Sequence, residues 1–336
     1  MDIKNLLFEL SAAVSAGPLN TASDLSFKAL SEYAECEQKG LMVIGRMKGN
    51  SEYTLMLDAH IDEIAFTVTN IDSEGFLTLA KCGGFDLRGL PACAVTVHGK
   101  REIPAYFCST PPHLSSGDME FDDIAKLRVD TLLGEQAREL ISVGDMVTYR
   151  ISPAELANGR VTGKSFDDRA AVVCLIELAR RLKGKELPIN VVFTFSDQEE
   201  LGCRGSRTAT YTVEPNEAIA LDVSFGDGPN ISADDCGKLS GGAMIGLSPI
   251  LDSAIGKKLH DIAEQNGIPH QTEVMGRSTG TNSDVISISR GGVKTGLVSI
   301  PLRNMHTAVE VIDIKDIVSV CDILEKYVLS GGVMNA

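Results

Sequence analysis

Hydrophobic positions along the 336-residue chain fall into two textures. Four short runs, YTLMLDA (53–59), INVVFTFS (189–196), EAIALDVSF (217–225) and KTGLVSI (294–300), are apolar nearly throughout and rich in β-branched residues, without clean alternation. A strand covered on both faces has no polar side to show, so runs of this kind predict parallel strands inside a sheet. Helical spacings surround them. In 167–182, Ala171, Leu175, Leu178 and Leu182 recur at intervals of four, three and four, and in 313–329 Ile314, Ile317, Cys321, Leu324 and Val328 recur at three, four, three and four. Each set makes one apolar helical face. Strands alternating with helices predict an α/β fold, with a mixed, mostly parallel central sheet covered by helices.

Residues 68–160 read differently. Gly and Pro punctuate them (Gly83, Gly84, Gly89, Pro91, Gly99, Pro104, Pro111), and short strand-like pieces, ACAVTV, EIPAYF and DMVTYRI, lie between the turns. The pattern predicts a small all-β, barrel-like domain inserted into the α/β domain, which it divides into 1–67 and 161–336. Such an insertion is too small to be a catalytic body and presents strand edges, so contact between subunits is its expected use.

Length agrees with two units, since one core rarely grows beyond about 250–300 residues. Hydrophobic residues at 43% and charged residues at 23% exclude a largely disordered chain. The first twenty residues are interrupted by Asp2, Lys4 and Glu9 and lack the apolar centre of a secretory signal. No run approaches the roughly 20 apolar residues of a membrane span, so a membrane partner is not expected. Eight cysteines are scattered without a CxxC pair, several in apolar runs such as AVVCLIE, which suits reduced thiols in the cytoplasm. A formal net charge of -15 repels phosphate backbones, so nucleic acid is not an expected partner. The same charge leaves two readings open: a solvated acidic surface, or carboxylates gathered to hold divalent cations.

The ends of the four runs bear on that choice. The first leads into His60-Ile-Asp62, the second into Glu199-Glu200, the third carries Asp222, and the fourth is followed by PLRNMH ending at His306. Asp167-Asp168 opens the first strong helix. Open α/β sheets place their ligand site at the carboxyl ends of the strands, so groups far apart in sequence can converge there. Two histidines and several carboxylates form the donor set of a hydrolytic two-metal site that suits zinc or cobalt, and also manganese. Such a site needs a bridging carboxylate, further ligands for each ion, and an unligated carboxylate to take a proton from water. In Glu199-Glu200, one neighbour can ligate while the other acts as base. Asp62, two residues from His60, points to the same side of an extended segment and can support it.

Taken singly, each of these residues is more ordinarily a turn or cap residue, and EE and DD pairs are common at solvated helix starts. Cys203 has no histidine of its own and reads as a small packed thiol. His98, His113, His260 and His270 have no carboxylates at ligand spacing, so they are read as structural or surface residues.

The segments AHIDEIAF, SFDDRAA, DQEELGCRGS, LDVSFGD and SIPLRNMHTAVEVID together resemble the motif series of the glutamyl or deblocking aminopeptidases, tetrahedral metallo-aminopeptidases often labelled endoglucanases. The insertion is similar to theirs in GGFDLRGLP, STPPHL and ISVGDMV, so the resemblance spans nearly the whole chain. By position it implies that Asp167 bridges two metals, that His60 and Asp222 hold one, and that Glu200 and His306 hold the other. It makes Glu199 the general base, Asp62 a support for His60 or the base, and Asp168 a neighbour shaping the turn. STGTNSDVIS has Asn282 where many relatives would carry aspartate, in a stretch expected on the substrate side. The resemblance further implies short peptides with a free amino end as substrates and a hollow dodecameric shell as the assembly. A glycoside hydrolase would use paired carboxylates but no ligating histidines, and would usually line its cleft with aromatics; this chain has no Trp and 5% aromatics. A non-catalytic metal-binding shell would have no use for an unligated Glu199.

Overall fold

The structure, a computed structural model, describes residues 2–114 and 123–334. The stretch 115–122 of the insertion lies outside the described residues. Eight strands form one mixed sheet in the spatial order Glu35–Lys39, Met42–Met47, Asn190–Ser196, Thr54–His60, Glu217–Phe225, Lys294–Leu302, Ala243–Leu247, His270–Val274. The four apolar runs are its centre, mutually parallel and adjacent, while the strands flanking them join antiparallel. Ser196 pairs with His60 and Ala220 with Asp58, so the carboxyl ends of these strands finish nearly level.

Both faces of the central strands are buried. Leu55, Leu57, Phe193, Phe195, Leu221 and Ile300 enter the main core with the helices Ile3–Ala12, Phe166–Leu182, Ser253–Asn266 and Ile314–Leu329. On the other face, Met56, Ala218, Ala220 and Leu297 pack with Ile286, and Ile44 and Val192 with Ala209. The apolar runs therefore do alternate, but between two buried faces. Phe166–Leu182 differs from its one-faced spacing. It is buried almost all round, because Ile3–Ala12, Ile314–Leu329 and the sheet enclose it, and Glu177 within it is matched by Arg180 and Arg181.

The strands Ala65–Ile71, Leu77–Cys82, Val129–Asp130, Glu102–Phe107, Ala94–His98 and Met146–Tyr149 close into a barrel, in that order around it. Its core is separate, built from Phe66, Val68, Leu79, Val97, Phe107 and Val147 among others. In Glu102–Phe107, Ile103, Ala105 and Phe107 point inward and Glu102, Pro104 and Tyr106 outward, the alternation of a strand with one wet face. A small antiparallel sheet pairs Arg160–Gly163 with Glu310–Asp313, setting Glu310 opposite Gly163 just before the Asp167 helix.

Candidate metal centre

The level ends of the parallel strands bring the sequence-predicted residues together. His60 terminates its strand, Asp222 is the sixth residue of Glu217–Phe225, Glu199 and Glu200 follow Asn190–Ser196, His306 follows Lys294–Leu302, and Asp167 opens its helix. His60 Nε2 lies 3.0 Å from Asp167 Oδ1 and 3.9 Å from Asp222 Oδ1. His306 Nε2 lies 3.2 Å from Asp167 Oδ2 and 3.3 Å from Glu200 Oε1. Beside a trio of His60, Glu199 and Glu200, these distances define two more, His60–Asp167–Asp222 and Asp167–Glu200–His306, every trio with donor atoms within 4.8 Å of one another. Asp167 belongs to the latter two, one oxygen turned to each histidine. Asp168 is fully buried and spoken for: it accepts from the His60 backbone N–H at 3.3 Å and from that of Ala171 at 3.3 Å, closing the turn.

The donor set fits a pair of divalent cations. His60 Nδ1 is 3.2 Å from the Asp62 carbonyl, which can only accept, so Nδ1 carries its proton there and Nε2 is the atom left to ligate. Apart from the two histidines the cluster is all carboxylate, and the charge is self-repelling without a cation. Burial and like-charge neighbours accordingly push the carboxyl groups of Asp222 and Asp168 well above their usual range, and Glu200 up to about 7. Burial pushes Asp167 upward too, but His306 and His60 outweigh it and hold the carboxyl below its usual range. Desolvation opposes charge on both histidines, yet Asp167 with Asp62 raises His60 well above its normal value, and Asp167 with Glu200 raises His306 to about 11. These are protons that entering cations would displace.

Two carboxylates outside the trios hold the ligands by their backbones. Asp62 accepts the Glu199 N–H at 3.0 Å with one oxygen and the Glu200 N–H at 3.2 Å with the other. Glu310, 2% exposed, does the same for the Asp167 and His306 N–H groups, at 3.2 and 3.0 Å. Asn304 and His306 have φ of 58° and 61°, so this loop is left-handed backbone that non-glycine residues resist, and Glu310 helps to fix it. Sequence reasoning missed Glu310; its one signal was a carboxylate inside the otherwise apolar VEVI. It missed Glu63 as well, a buried group that accepts from Lys164 Nζ at 2.5 Å and Ser165 Oγ at 2.6 Å and so anchors the loop entering Asp167.

Two expectations are corrected. Asn282 does not line the open side of the site: it is buried and its Nδ2 donates to Asp58 Oδ2 at 2.7 Å and Ser196 Oγ at 2.9 Å, because a buried carboxyl and hydroxyl need that donor. Cys203 is not simply a packed thiol. It is half-buried with Sγ 3.3 Å from Glu199 Oε1, and burial together with the Glu199 charge pushes its pKa up, keeping it protonated. The barrel also reaches the centre: a Cβ on Gly83 would lie 3.1 Å from Glu200 Oε2, and one on Gly84 would lie 3.0 Å from His306 Nδ1. His98 bonds Thr148 in the barrel, and His260 and His270 meet edge-on, all apart from the cluster.

Comparison with known proteins places the chain in a family. The lysyl aminopeptidase of Pyrococcus furiosus is 32% identical over 283 residues, covering 82% of this chain and 81% of that one. The TET aminopeptidase from a marine sediment Thaumarchaeota archaeon superimposes with a TM-score of 0.93 at 26% identity, covering 98% of this chain and 97% of its own. Pyrococcus horikoshii TET1 peptidase, described as assembling into a tetrahedron or a large octahedral shell, gives a TM-score of 0.86 at 28% identity, with 98% and 99% covered. The model of the M42 glutamyl aminopeptidases matches residues 42–323, and the chain belongs to that family of peptide hydrolases.

Proposed function

We propose that this aminopeptidase depends on two divalent cations, zinc or cobalt best suiting its donors, and removes N-terminal residues from short peptides with free amino ends. The observation that carries the reading is the split of Asp167, whose two oxygens face His60 and His306 and join two donor trios into one centre. His60 and Asp222 would hold one ion, Glu200 and His306 the other, and Asp167 both. Bound cations would polarise the scissile carbonyl and ease deprotonation of a water.

Glu199 is the proton acceptor in this scheme. Burial raises its pKa above that of an ordinary carboxyl, making it a better base than an exposed one. The proton it takes is the one it returns to the departing amine. Asp62 aims it by holding the Glu199 and Glu200 amides. A glycosidase would need only the carboxylates, whereas here both histidines face into the cluster.

The assembly belongs to the same proposal. The inserted barrel serves contacts between copies, and the chain forms a closed homo-oligomer, a dodecamer on the resemblance, whose interior admits peptides. All eight cysteines are free, which favours the cytoplasm as its compartment. Among the described residues no helix is long and apolar enough to cross a membrane. The deciding experiment is an aminoacyl-anilide panel after chelation, then with zinc, cobalt or manganese restored, beside free and N-acetylated peptides. Chelation should abolish turnover while circular dichroism stays unchanged, and acetylated peptides should stay intact. Full activity in metal-free protein, or equal cleavage of acetylated peptides, would refute the reading.

A further inference from the structure

Glu199 and Glu200 carry the same side chain at the same strand end, and nothing in their chemistry says which should ligate. His60, Glu199 and Glu200 themselves offer donor atoms within 4.8 Å, so Glu199 is within reach of a cation held by His60. The two differ in what occupies their oxygens. Glu200 Oε1 faces His306 Nε2 at 3.3 Å, inside a donor trio. Glu199 Oε1 meets Cys203 Sγ at 3.3 Å, and since a carboxylate only accepts, the thiol is the donor.

The backbone makes that contact a deliberate one. Cys203 caps the start of the helix Arg204–Val213 with φ 55°, a left-handed conformation that disfavours a residue with a Cβ by about 1–2 kcal/mol. Glycine would sit there more easily, as Gly202 does just before it at φ 100°. The Cys203 N–H also donates to the Glu199 carbonyl at 2.9 Å, closing the turn that sets the sulfur against the carboxylate.

We propose that Cys203 is a positioning residue that keeps Glu199 a base, its thiol occupying one carboxylate oxygen and withholding it from the cations while Glu200 ligates. The inference rests on the two-cation aminopeptidase reading. It has a consequence of unusual sign. Without the donor, Glu199 can turn to the cations as an extra ligand, so turnover falls while metal is held more tightly. Mere loosening of the site would weaken both together.

The test compares full-length wild type, Cys203→Ala and Cys203→Ser in two assays: zinc affinity by competition with a chromogenic chelator, and kcat and KM on aminoacyl anilides. Cys203→Ala should lower kcat about tenfold, a fraction of the roughly 10²–10⁴ a general base supplies, with KM nearly unchanged and zinc bound a few-fold more tightly. Cys203→Ser, whose hydroxyl can donate the same bond, should recover most of the lost kcat and the wild-type zinc affinity. Wild-type kcat in Cys203→Ala, zinc weakened in step with activity, or a serine variant no better than alanine would each overturn the assignment. A wild type that neither binds zinc nor cleaves the anilides would instead overturn the metallo-aminopeptidase reading, so the two failures are distinct.

Discussion

The central sheet and the barrel are made from the same apolar residues, yet only one of them gathers chemistry. Strands such as Asn190–Ser196 and Glu217–Phe225 are covered on both faces, so most of their length must be apolar and their donors collect where the cover runs out. Four parallel strands ending level turn that restriction into convergence: His60, Glu199, Glu200 and Asp222 meet because each lies at or near the same edge. Barrel strands such as Glu102–Phe107 have one wet face and spread their polar residues along it. The barrel meets the centre through absence, at Gly83 and Gly84, whose missing side chains leave Glu200 and His306 room.

Substitution can break this contrast at three levels. The largest effect belongs to the sheet edge: on the proposed mechanism Glu199→Gln should cut kcat by about 10²–10⁴ while leaving metal content and the melting curve unchanged, because the amide keeps the shape but could not take the proton. Metal lost from Glu199→Gln and retained in Glu200→Gln would exchange the two roles. Next is the barrel alone. Phe66 stacks on Phe85 at 4.1 Å and meets Phe107 edge-on at 5.2 Å, so Phe66→Ala should destabilise by about 3–5 kcal/mol. With two separate cores, denaturant unfolding should become biphasic, the barrel melting first; one shifted cooperative transition would show a single unit instead. The smallest effect lies at the seam. Gly83→Ala places a Cβ at φ 98°, 2.7 Å from Ile64 Cγ2 and 3.1 Å from Glu200 Oε2. It should lose about 1–2 kcal/mol of stability and weaken zinc binding, read by the same denaturation and chelator competition; unchanged zinc affinity would disconnect the barrel turn from the centre.

How legible each part was follows from how local its signal is. The four central strands could be read because double burial imposes a run of apolar residues, and the donors could be read because they sit where those runs stop. The flanking strand Glu35–Lys39 could not: ECEQK is a half-exposed edge with no pattern of its own, and only its partner Met42–Met47 makes it a strand. The two helices singled out by spacing were found, but Phe166–Leu182 is enclosed by neighbours that its own periodicity does not reveal. Glu310 and Glu63 escaped for a related reason. Glu310 reaches the Asp167 N–H from 143 positions away, and Glu63 reaches Lys164 and Ser165 from 101 and 102; a carboxylate that grips another segment looks, in its own segment, like any other carboxylate. Asn282 misled because a polar residue in a polar stretch, STGTNSD, gives no sign that it faces inward to Asp58 and Ser196.

The way Asp167 is held has a meaning for the order in which the molecule forms. Its contact with His60 spans 107 positions of chain and needs the strand that ends in His60 in place, while its contact with Glu310 spans 143 and needs Arg160–Gly163 paired with Glu310–Asp313. Loops of that size close late, since each contact must first overcome the entropy of bringing remote segments together. The centre is thus completed by folding, and newly made chains would bring Asp167 between its two histidines only after those remote segments have met.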